Sequence, residues 1–246
     1  NNSQEKLADY YNFLYNKIVY SKVEQCGGCV DLEKVGNHVF NGNLFQNYRF
    51  DDSDTDIKIS GGINCFISNN FVSFTLINNT FDNALGNNQG RCMRFSDIPN
   101  NQITIRNNTI KNCPSGGPFF YFKFSNKIDD FTFESCNFIE NKINNYIDYN
   151  VQSQITPQVW VENSQNGNYR SKFKLIFDDC YFKKDTSPTK GGAINYGKGN
   201  PFVNTRVVFR ECQFIENEAT NGGSAISIET YQGCEINDCK FIKNKS

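Results

Sequence analysis

The stretch FRECQFIENEATNGGSAISIE (residues 209–229) decides the fold, because both of its halves recur along the chain. Its first half sets Cys212 between Phe209 and Phe214 and ends at Asn217. Its second half is a Gly-Gly pair that opens a run of small and apolar residues. A stretch of this length cannot enclose a hydrophobic core by itself. The fold therefore depends on how many copies of the stretch the chain contains.

Seven copies follow the pattern apolar-x-apolar-x-x-Cys/Asn-x-apolar-x-x-Asn, of which the copy at residues 38–48 is the weakest. Each alternates apolar and polar residues and lacks a helical period, which predicts short strands. Equivalent strands are predicted to stack in parallel about 4.8 Å apart. The sequence therefore predicts an all-β fold, a right-handed parallel β-helix (solenoid) of about seven coils. The copies are HVFNGNLFQNY (38–48), FTLINNTFDNA (74–84), ITIRNNTIKNC (103–113), FTFESCNFIEN (131–141), LIFDDCYFKKD (175–185), VVFRECQFIEN (207–217) and CEINDCKFIKN (234–244).

The leucine-rich repeat is the competing fold, because apolar-x-x-Cys-x-apolar-x-x-Asn also fits its template. That fold needs many leucines and a helical return segment, whereas Leu is scarce here. The return segments are instead Gly-Gly followed by strand-forming residues, as in GGAINY (191–196) and GGSAISIE (222–229). Paired glycines permit the positive φ of a turn, so the β-helix is favoured.

Stacking converts the Cys/Asn position into a column of side chains. Asparagine amides hydrogen-bond along such a column, and cysteine is small and apolar enough to be buried in it. Neighbouring cysteines are expected to remain thiols, with disulfides between neighbours as the alternative. The predicted structural ladder is Asn79, Asn108, Cys136, Cys180, Cys212 and Cys239, with Asn43 as a candidate first member.

Composition supports an all-β chain and argues against several functions. The 246 residues include 23 Phe and 12 Tyr, and roughly one residue in seven is Asn, which favours strands and turns. A net charge of −1 supplies no basic field for nucleic acid. The sequence contains no apolar run of about 18 residues, which is the length that a membrane-spanning helix needs. The single histidine, His38, argues against histidine-based catalysis and is predicted to be a core residue.

The chain divides into an N-terminal cap segment, residues 1–37, and a parallel β-helix repeat domain, residues 38–246. A helical cap over residues 5–20 is expected to cover the open end of the strands. The last copy has no such cover, so the repeat domain is expected to continue, or a partner to cover that end. The helical spacing is read from Leu7, Tyr10 or Tyr11, Leu14 and Ile18.

An acidic cluster at the turn before the Cys/Asn position is the candidate catalytic site: Asp178, Asp179, Glu211 and Asp238. A β-helical polysaccharide lyase or hydrolase needs carboxylates and cations on one exposed strand face. The exposed strand column is instead expected to hold Thr75, Thr104, Thr132, Ile176, Val208 and Glu235. Turn chemistry explains the acids, so a structural role is favoured over Ca²⁺ or sugar binding.

Three further patterns have a functional and a structural interpretation. Asp52, Asp54 and Asp56 resemble a calcium loop but lack its glycine and terminal Glu, so a solvated acidic loop is favoured. No other cofactor or metal is predicted. The CGGC motif at Cys26 and Cys29 predicts a structural disulfide, with a redox or zinc pair as the alternative. Two sequons at turn corners, Asn78 and Asn107, are glycosylation candidates.

The repeat signature resembles that of the polymorphic outer membrane protein family, known from chlamydial surface autotransporters and from similar proteins in some protists. The motifs that carry the resemblance are FIEN (138–141 and 214–217), FIKN (241–244), GGAI (191–194) and GGSAI (222–226). They match well over residues 103–246 and in degenerate form over 38–100. The resemblance implies a right-handed β-helix that works as a surface adhesin or scaffold, and the Asn-rich, Leu-poor composition suits a protist homologue.

The favoured function is therefore a non-enzymatic extracellular or cell-surface (secreted) repeat module, acting as adhesin or structural scaffold. It would display the loops 142–157 and 163–171. The expected partner is a protein or a surface glycan, with self-association through the uncovered C-terminal end. A carbohydrate-active β-helix enzyme that uses the acidic turn ladder is the alternative, and an intracellular assembly protein is a third hypothesis.

Overall fold

The structure is a computed structural model. It describes residues 10–19, 22–23, 30–32, 37–50, 63–66, 73–84, 92–98, 103–114, 119–124, 130–142, 159–163, 172–188, 190–196, 204–228 and 233–246. Three predictions concern residues outside these ranges: the calcium candidates Asp52, Asp54 and Asp56, the pair Cys26 and Cys29, and nearly all of the loops 142–157 and 163–171.

Every element in the described residues is a β-strand, and no helix occurs among them. In chain order the strands are β1 Tyr10–Leu14, β2 Lys17–Val19, β3 Lys22–Val23, β4 Val30–Leu32, β5 Asn37–Asn41, β6 Leu44–Gln46, β7 Arg49–Phe50, β8 Ile63–Phe66, β9 Ser73–Ile77, β10 Thr80–Asp82, β11 Met93–Ile98, β12 Ile103–Arg106, β13 Thr109–Lys111, β14 Phe120–Phe124, β15 Phe131–Glu134, β16 Asn137–Ile139, β17 Val159–Asn163, β18 Lys172–Asp178, β19 Tyr181–Lys183, β20 Thr186–Ser187, β21 Ile194–Tyr196, β22 Asn204–Arg210, β23 Gln213–Ile215, β24 Glu218–Ala219, β25 Ile226–Ile228, β26 Cys234–Asn237 and β27 Lys240–Ile242. The predicted all-β class is confirmed.

Two long parallel sheets dominate the structure, each with one strand from every repeat. Sheet 1 has the order β1-β5-β9-β12-β15-β18-β22-β26, and sheet 2 has the order β2-β6-β10-β13-β16-β19-β23-β27. We call one strand of sheet 1 and the following strand of sheet 2 a layer, which gives eight layers. Sheet 3 has the order β17-β14-β11-β8-β4, and three two-stranded sheets pair β20 with β24, β21 with β25 and β3 with β7.

The strand register aligns the repeats as their sequences do. In sheet 1, Phe133 pairs with Phe177, which pairs in turn with Phe209. In sheet 2, Phe182 lies between Phe138 and Phe214 in the same way. Equivalent residues of successive repeats therefore lie above one another, and the predicted parallel stacking of the repeats is confirmed.

Stacked phenylalanine rings fill the space between the sheets. The Phe182 ring lies 4.9 Å from Phe138 and 4.8 Å from Phe214, with interplanar angles of 5° and 2°. Phe177 of the sheet 1 column meets Phe182 edge-on at 5.8 Å. The ring spacing within a column matches the separation of paired strands, so the backbone repeat sets the stacking distance.

The helical cap predicted for residues 5–20 is wrong where the structure describes that segment. Tyr10–Leu14 and Lys17–Val19 are strands, and they form the first layer of sheets 1 and 2. Phe13 stacks on Phe40 with ring centroids 4.4 Å apart, whereas Leu14 of the supposed helical stripe is 48% exposed. Aromatic and β-branched residues favour strands. Pairing of β1 with β5 and of β2 with β6 stabilises the strands more than the helical spacing of the apolar residues stabilises a helix. Among the described residues, the first strand of sheet 1 is Tyr10–Leu14, inside the predicted cap segment.

Gly192, the second glycine of GGAINY, touches the backbone of the next repeat. A Cβ added there would lie 2.4 Å from the Ser224 carbonyl oxygen and 2.6 Å from that of Glu218. Backbone atoms cannot move aside as a flexible side chain would, so only glycine fits. Two strands that follow the Gly-Gly motifs, β21 and β25, pair in parallel directly after this contact.

Gly192→Ala is expected to lower the free energy of unfolding by about 3 kcal/mol, because the backbone of the neighbouring repeat must move. Gly233→Ala is the control: Gly233 has φ +78 and no atom within 4 Å of an added Cβ. Only left-handed backbone strain, about 1 kcal/mol, applies there. Urea denaturation of both variants measures the difference. Equal losses would show that the close approach at Gly192 is absent.

Candidate functional site

A first corner is described in all eight layers and a second corner in the last seven, and the residues at these corners have positive φ. The first corner separates the strands of sheets 1 and 2, and it holds three of the acidic candidates. Asparagine tolerates this left-handed conformation better than other non-glycine residues, which accounts for its abundance here. The first-corner residues are Tyr15, Gly42, Asn78, Asn107, Ser135, Asp179, Glu211 and Asp238, with φ of 50° to 71°. The second corner holds Asn47, Asn83, Asn112, Glu140, Lys184, Glu216 and Lys243.

The residue after the first corner points into the core and forms the asparagine part of the ladder. Asn79 Oδ1 accepts hydrogen bonds from the Asn43 backbone N–H at 2.9 Å and from its side-chain Nδ2 at 2.8 Å. Asn79 in turn donates from both nitrogens to Asn108 Oδ1, at 2.9 and 3.1 Å. Asn16 in the first layer makes the same two bonds to Asn43. The amide ladder therefore begins one layer earlier than Asn43.

Cys136, Cys180, Cys212 and Cys239 occupy the same position in the last four layers, and all four are thiols. The Cys180 thiol donates to the Phe133 carbonyl at 3.3 Å, and the Cys212 thiol to the Phe177 carbonyl at 3.3 Å. Asn79 Nδ2 donates to the equivalent carbonyl, that of Phe40, at 2.9 Å. Cysteine and asparagine are thus interchangeable here because both can donate to the carbonyl group of the preceding layer.

The environment of the thiol column shifts the pKa of its members in different directions. Burial raises the pKa of the Cys180 thiol well above its usual value. Hydrogen bonds with the Cys180 side chain lower the pKa of Cys136 and of Cys212, in spite of their burial. Outside the column, in β26, partial burial raises the pKa of Cys234 to about 11, assisted by Cys239 and Glu235. Cys180 and Cys234 are therefore protonated at neutral pH.

Thiol labelling is expected to distinguish the buried thiol column from Cys234, an exposed thiol outside the column. Cys180 is 1% exposed and should react with iodoacetamide only when the protein unfolds, whereas Cys234 is exposed and should react in the native state. Because the thiolate is the nucleophile, Cys234 labelling should accelerate about tenfold per pH unit up to about pH 11. Mass spectrometry of pulse-labelled peptides measures both rates. Native-state labelling of Cys180 as fast as that of Cys234 would contradict the buried column.

A second ladder, which the sequence interpretation missed, follows the second corner. The Asn141 backbone N–H donates to Asp185 Oδ1 at 2.9 Å, and the Asp185 N–H donates to Asn217 Oδ1 at 3.0 Å. Asn217 then donates to Asn244 Oδ1 from its backbone N–H and Nδ2, at 2.9 and 3.0 Å. Its sequence signal was the closing position of the repeat pattern, which holds Asn at residues 141, 217 and 244. Asp185 is a fully buried carboxyl group in that position.

The acidic candidates lie at or beside the first corner and point outward. Asp179 accepts a hydrogen bond from the Ser135 hydroxyl at 3.0 Å, and it is exposed, as are Glu211 and Asp238. Asp178 ends β18 and pairs in register with Arg210. Over the residues that the structure describes, no group of three or more His, Cys, Asp or Glu side chains could hold a metal ion. Local pairing and turn geometry account for these acids.

The sequon residues Asn78 and Asn107 are exposed and occupy adjacent first corners. Their neighbours Asn79 and Asn108 are buried in the ladder. The Asn78 amide donates to Asn41 Oδ1 at 3.1 Å. Both sequon side chains are thus accessible, as a glycosylation site requires.

Two residues of the column predicted to be exposed are buried instead. Ile176 is 7% exposed and Val208 is 0% exposed, although both alternate with the inward residues of β18 and β22. The expectation that they face water was therefore wrong. His38, by contrast, is buried as predicted, at 2% exposure, and stacks on Tyr11 at 5.0 Å.

Comparison with known proteins gives no relative: the chain matches no family model, no curated protein and no solved structure. The resemblance to polymorphic outer membrane proteins stays a prediction drawn from short motifs. In the described part of the chain, no helix is long and apolar enough to cross a membrane.

Proposed function

We propose that the chain is a right-handed parallel β-helix that acts as a non-enzymatic scaffold or adhesin, at the cell surface or outside the cell. The three parallel sheets would be the faces of the helix, and each layer would be part of one coil. Right-handed crossovers between parallel strands are strongly preferred in proteins, which supports the handedness.

The observation that carries the proposal is the continuity of the buried columns. Amides, thiols and rings stack through the successive layers with hydrogen bonds or ring contacts at most steps, as between Asn43 and Asn79 or between Phe182 and Phe214. Structure of this kind stiffens a chain along the stacking direction, because each layer is held by its neighbours on both sides. Stiffness along one axis is what a spacer or a display scaffold requires.

The outer columns also support a structural role, because their charges are arranged in local pairs between layers. Arg106 Nε lies 3.5 Å from Glu134 Oε1, and Lys184 Nζ lies 3.6 Å from Glu140 Oε1. A further pair joins Arg206 to Glu235. Pairs of this kind reinforce the stacking modestly and leave the surface available for a protein or glycan partner.

Beads coated with the folded chain test the proposal. We expect them to adhere to cells or to an immobilised glycan, and we expect no new reducing ends when the protein is incubated with acidic polysaccharides and Ca²⁺. Asp179→Ala should change neither result, because Asp179 is only a corner residue. Release of reducing ends that Asp179→Ala abolishes would replace the scaffold with the carbohydrate-active enzyme.

A further inference from the structure

Four thiols form an uninterrupted column at the ladder position of the fifth to eighth layers. They are Cys136, Cys180, Cys212 and Cys239. The first three are at most 1% exposed. The residues directly after the four cysteines pair in register along sheet 2, from Asn137 to Lys240. Sulfur atoms therefore recur along the stack at the separation of paired strands, about 4.8 Å.

Adjacent thiols in this column interact with one another. The Cys180 side chain hydrogen-bonds those of Cys136 and Cys212, and the Cys212 side chain also hydrogen-bonds that of Cys239. Within the described ranges, no group of three Cys, His, Asp or Glu side chains could hold a metal ion, so two neighbouring thiols supply two ligands and not the four of a structural zinc site. Two sulfur ligands in line suit Cu(I), a soft ion that thiolates select.

The spacing of the column fits a metal ion between two sulfur atoms better than it fits a disulfide. A metal–thiolate bond is about 2.3 Å long for zinc, so two similar bonds in line span about 4.6 Å, close to the strand separation. A disulfide instead brings its two Cβ atoms to about 3.8 Å, and the paired strands would have to move together. Metal binding therefore distorts the layers less than oxidation does.

Hydrogen bonds around the column favour the thiolate form that a metal ion requires. The Cys180 side chain, followed by the backbone and side chain of Asn108, hydrogen-bonds Cys136 and lowers the pKa of that thiol in spite of its burial. Hydrogen bonds from the Cys180 side chain and then from its backbone lower the pKa of Cys212 in the same way. These donors offset part of the cost of a negative charge in the core.

We propose that the thiol column binds Cu(I), with one ion between the sulfur atoms of Cys136 and Cys180 and a second between those of Cys212 and Cys239. Each ion replaces two S–H protons and forms two Cu–S bonds, which releases two protons, transfers no electron and leaves one negative charge on the pair. Cu(I) binds while the chain folds, because Cys180 is closed to solvent once the layers have formed. The inference goes beyond the proposed scaffold role and does not depend on it.

Two double variants test whether the adjacency of the thiols decides binding, because each removes two thiols from the column. Cys136→Ala/Cys180→Ala keeps the adjacent pair of Cys212 and Cys239. Cys180→Ala/Cys239→Ala leaves Cys136 and Cys212, which are two layers apart. We expect the first variant to hold one copper ion more than the second. The cysteines outside the column are the same in both variants, so copper bound there cancels in the comparison.

The bound copper is counted after refolding. Each reduced protein is unfolded, mixed with the acetonitrile complex of Cu(I) in the absence of oxygen, and refolded. It is then dialysed against a chelator of Cu(I), which removes copper held by single thiols. Atomic absorption gives the number of copper ions per chain, and circular dichroism shows whether each variant is folded.

Cys239→Ala and Cys234→Ala supply a second comparison that leaves the buried thiols in place. Both change a thiol of the eighth layer, but Cys234 lies outside the column. Cys239→Ala should hold one copper ion fewer than the wild type, and Cys234→Ala the same number as the wild type. This comparison decides the matter if the double variants do not fold.

Two outcomes would overturn the inference. The first is an equal number of copper ions in the two folded double variants, which would show that adjacent thiols bind no better than separated ones. The second is a Cys239→Ala variant that holds as much copper as Cys234→Ala. Either result would leave the column as a packing feature of the core, and the proposed scaffold role would be unaffected.

Discussion

Phe182→Ala is expected to lower the free energy of unfolding by about 4 kcal/mol, because the substitution leaves a cavity in the middle of a ring column. Phe182 is 0% exposed and is stacked between Phe138 and Phe214. It also contacts Phe177 edge-on. Urea denaturation followed by circular dichroism gives the free energy directly.

Phe241→Ala is the matched control, because it removes the same ring from the end of the same column. Phe241 is 47% exposed and contacts one column neighbour, Phe214. Its loss should lower the free energy of unfolding by only about 1–2 kcal/mol. If the two variants lose the same stability, Phe182 does not lie inside a continuous column.

Asn79→Leu is expected to lower the free energy of unfolding by about 4 kcal/mol, because it keeps the volume and removes the five hydrogen bonds of a buried side chain. The Asn43 backbone and side-chain N–H groups would lose their acceptor. The carbonyls of Phe40 and Ile77 and Asn108 Oδ1 would each lose the hydrogen bond from Asn79 Nδ2, although the Ile77 carbonyl keeps that from Gly42 N–H. Each buried polar group left unpaired costs about 1–3 kcal/mol, less where local relaxation restores a partner. Thermal or urea denaturation measures the loss.

Asn79→Cys is the informative comparison, because the ladder already contains cysteine in its last four layers. A thiol at residue 79 can donate to the Phe40 carbonyl as Cys180 does to that of Phe133. We expect a loss of only about 1–2 kcal/mol. A cysteine variant as unstable as the leucine variant would show that the two residue types are not equivalent in this column.

The sequence predicted the strand register accurately because Cys or Asn at a fixed distance from two apolar residues marks each layer. Cys180 and Cys212, for example, were aligned from their phenylalanine neighbours alone, and their strands pair in that register. Side chains alternate across a strand, so a correct alignment of one position fixes the others.

The first layer was missed for a specific reason. Phe13, Asn16 and Ile18 have the spacing of the repeat and Gly27-Gly28 follow, but that pair was interpreted as part of the CGGC motif and not as the second element of a repeat. A helical spacing that included Leu14 therefore competed with the repeat, and periodicity in one short segment could not decide between them. The neighbouring strand β5 resolves the ambiguity in the structure by pairing with β1.

The repeat pattern did not predict the second ladder. It also did not predict that Ile176 and Val208, which alternate with the inward residues of their strands, are buried. Asp185 is charged in isolation, and the hydrogen bond that its carboxyl group accepts from the Asn141 N–H is visible only in the structure. The burial of Ile176 and Val208 depends on what packs on the outside of sheet 1, and strand alternation carries no information about that.

Zero-length carbodiimide cross-linking of the unmodified protein, read by mass spectrometry, tests the stacking of equivalent residues most directly. Three pairs join adjacent layers: Lys184 with Glu140 at 3.6 Å, Lys174 with Asp130 at 4.0 Å and Lys111 with Asp82 at 3.5 Å. We expect isopeptide bonds within these pairs. Bonds that instead join distant layers, such as Lys184 to Asp82, with none inside the three pairs, would contradict the stacked arrangement.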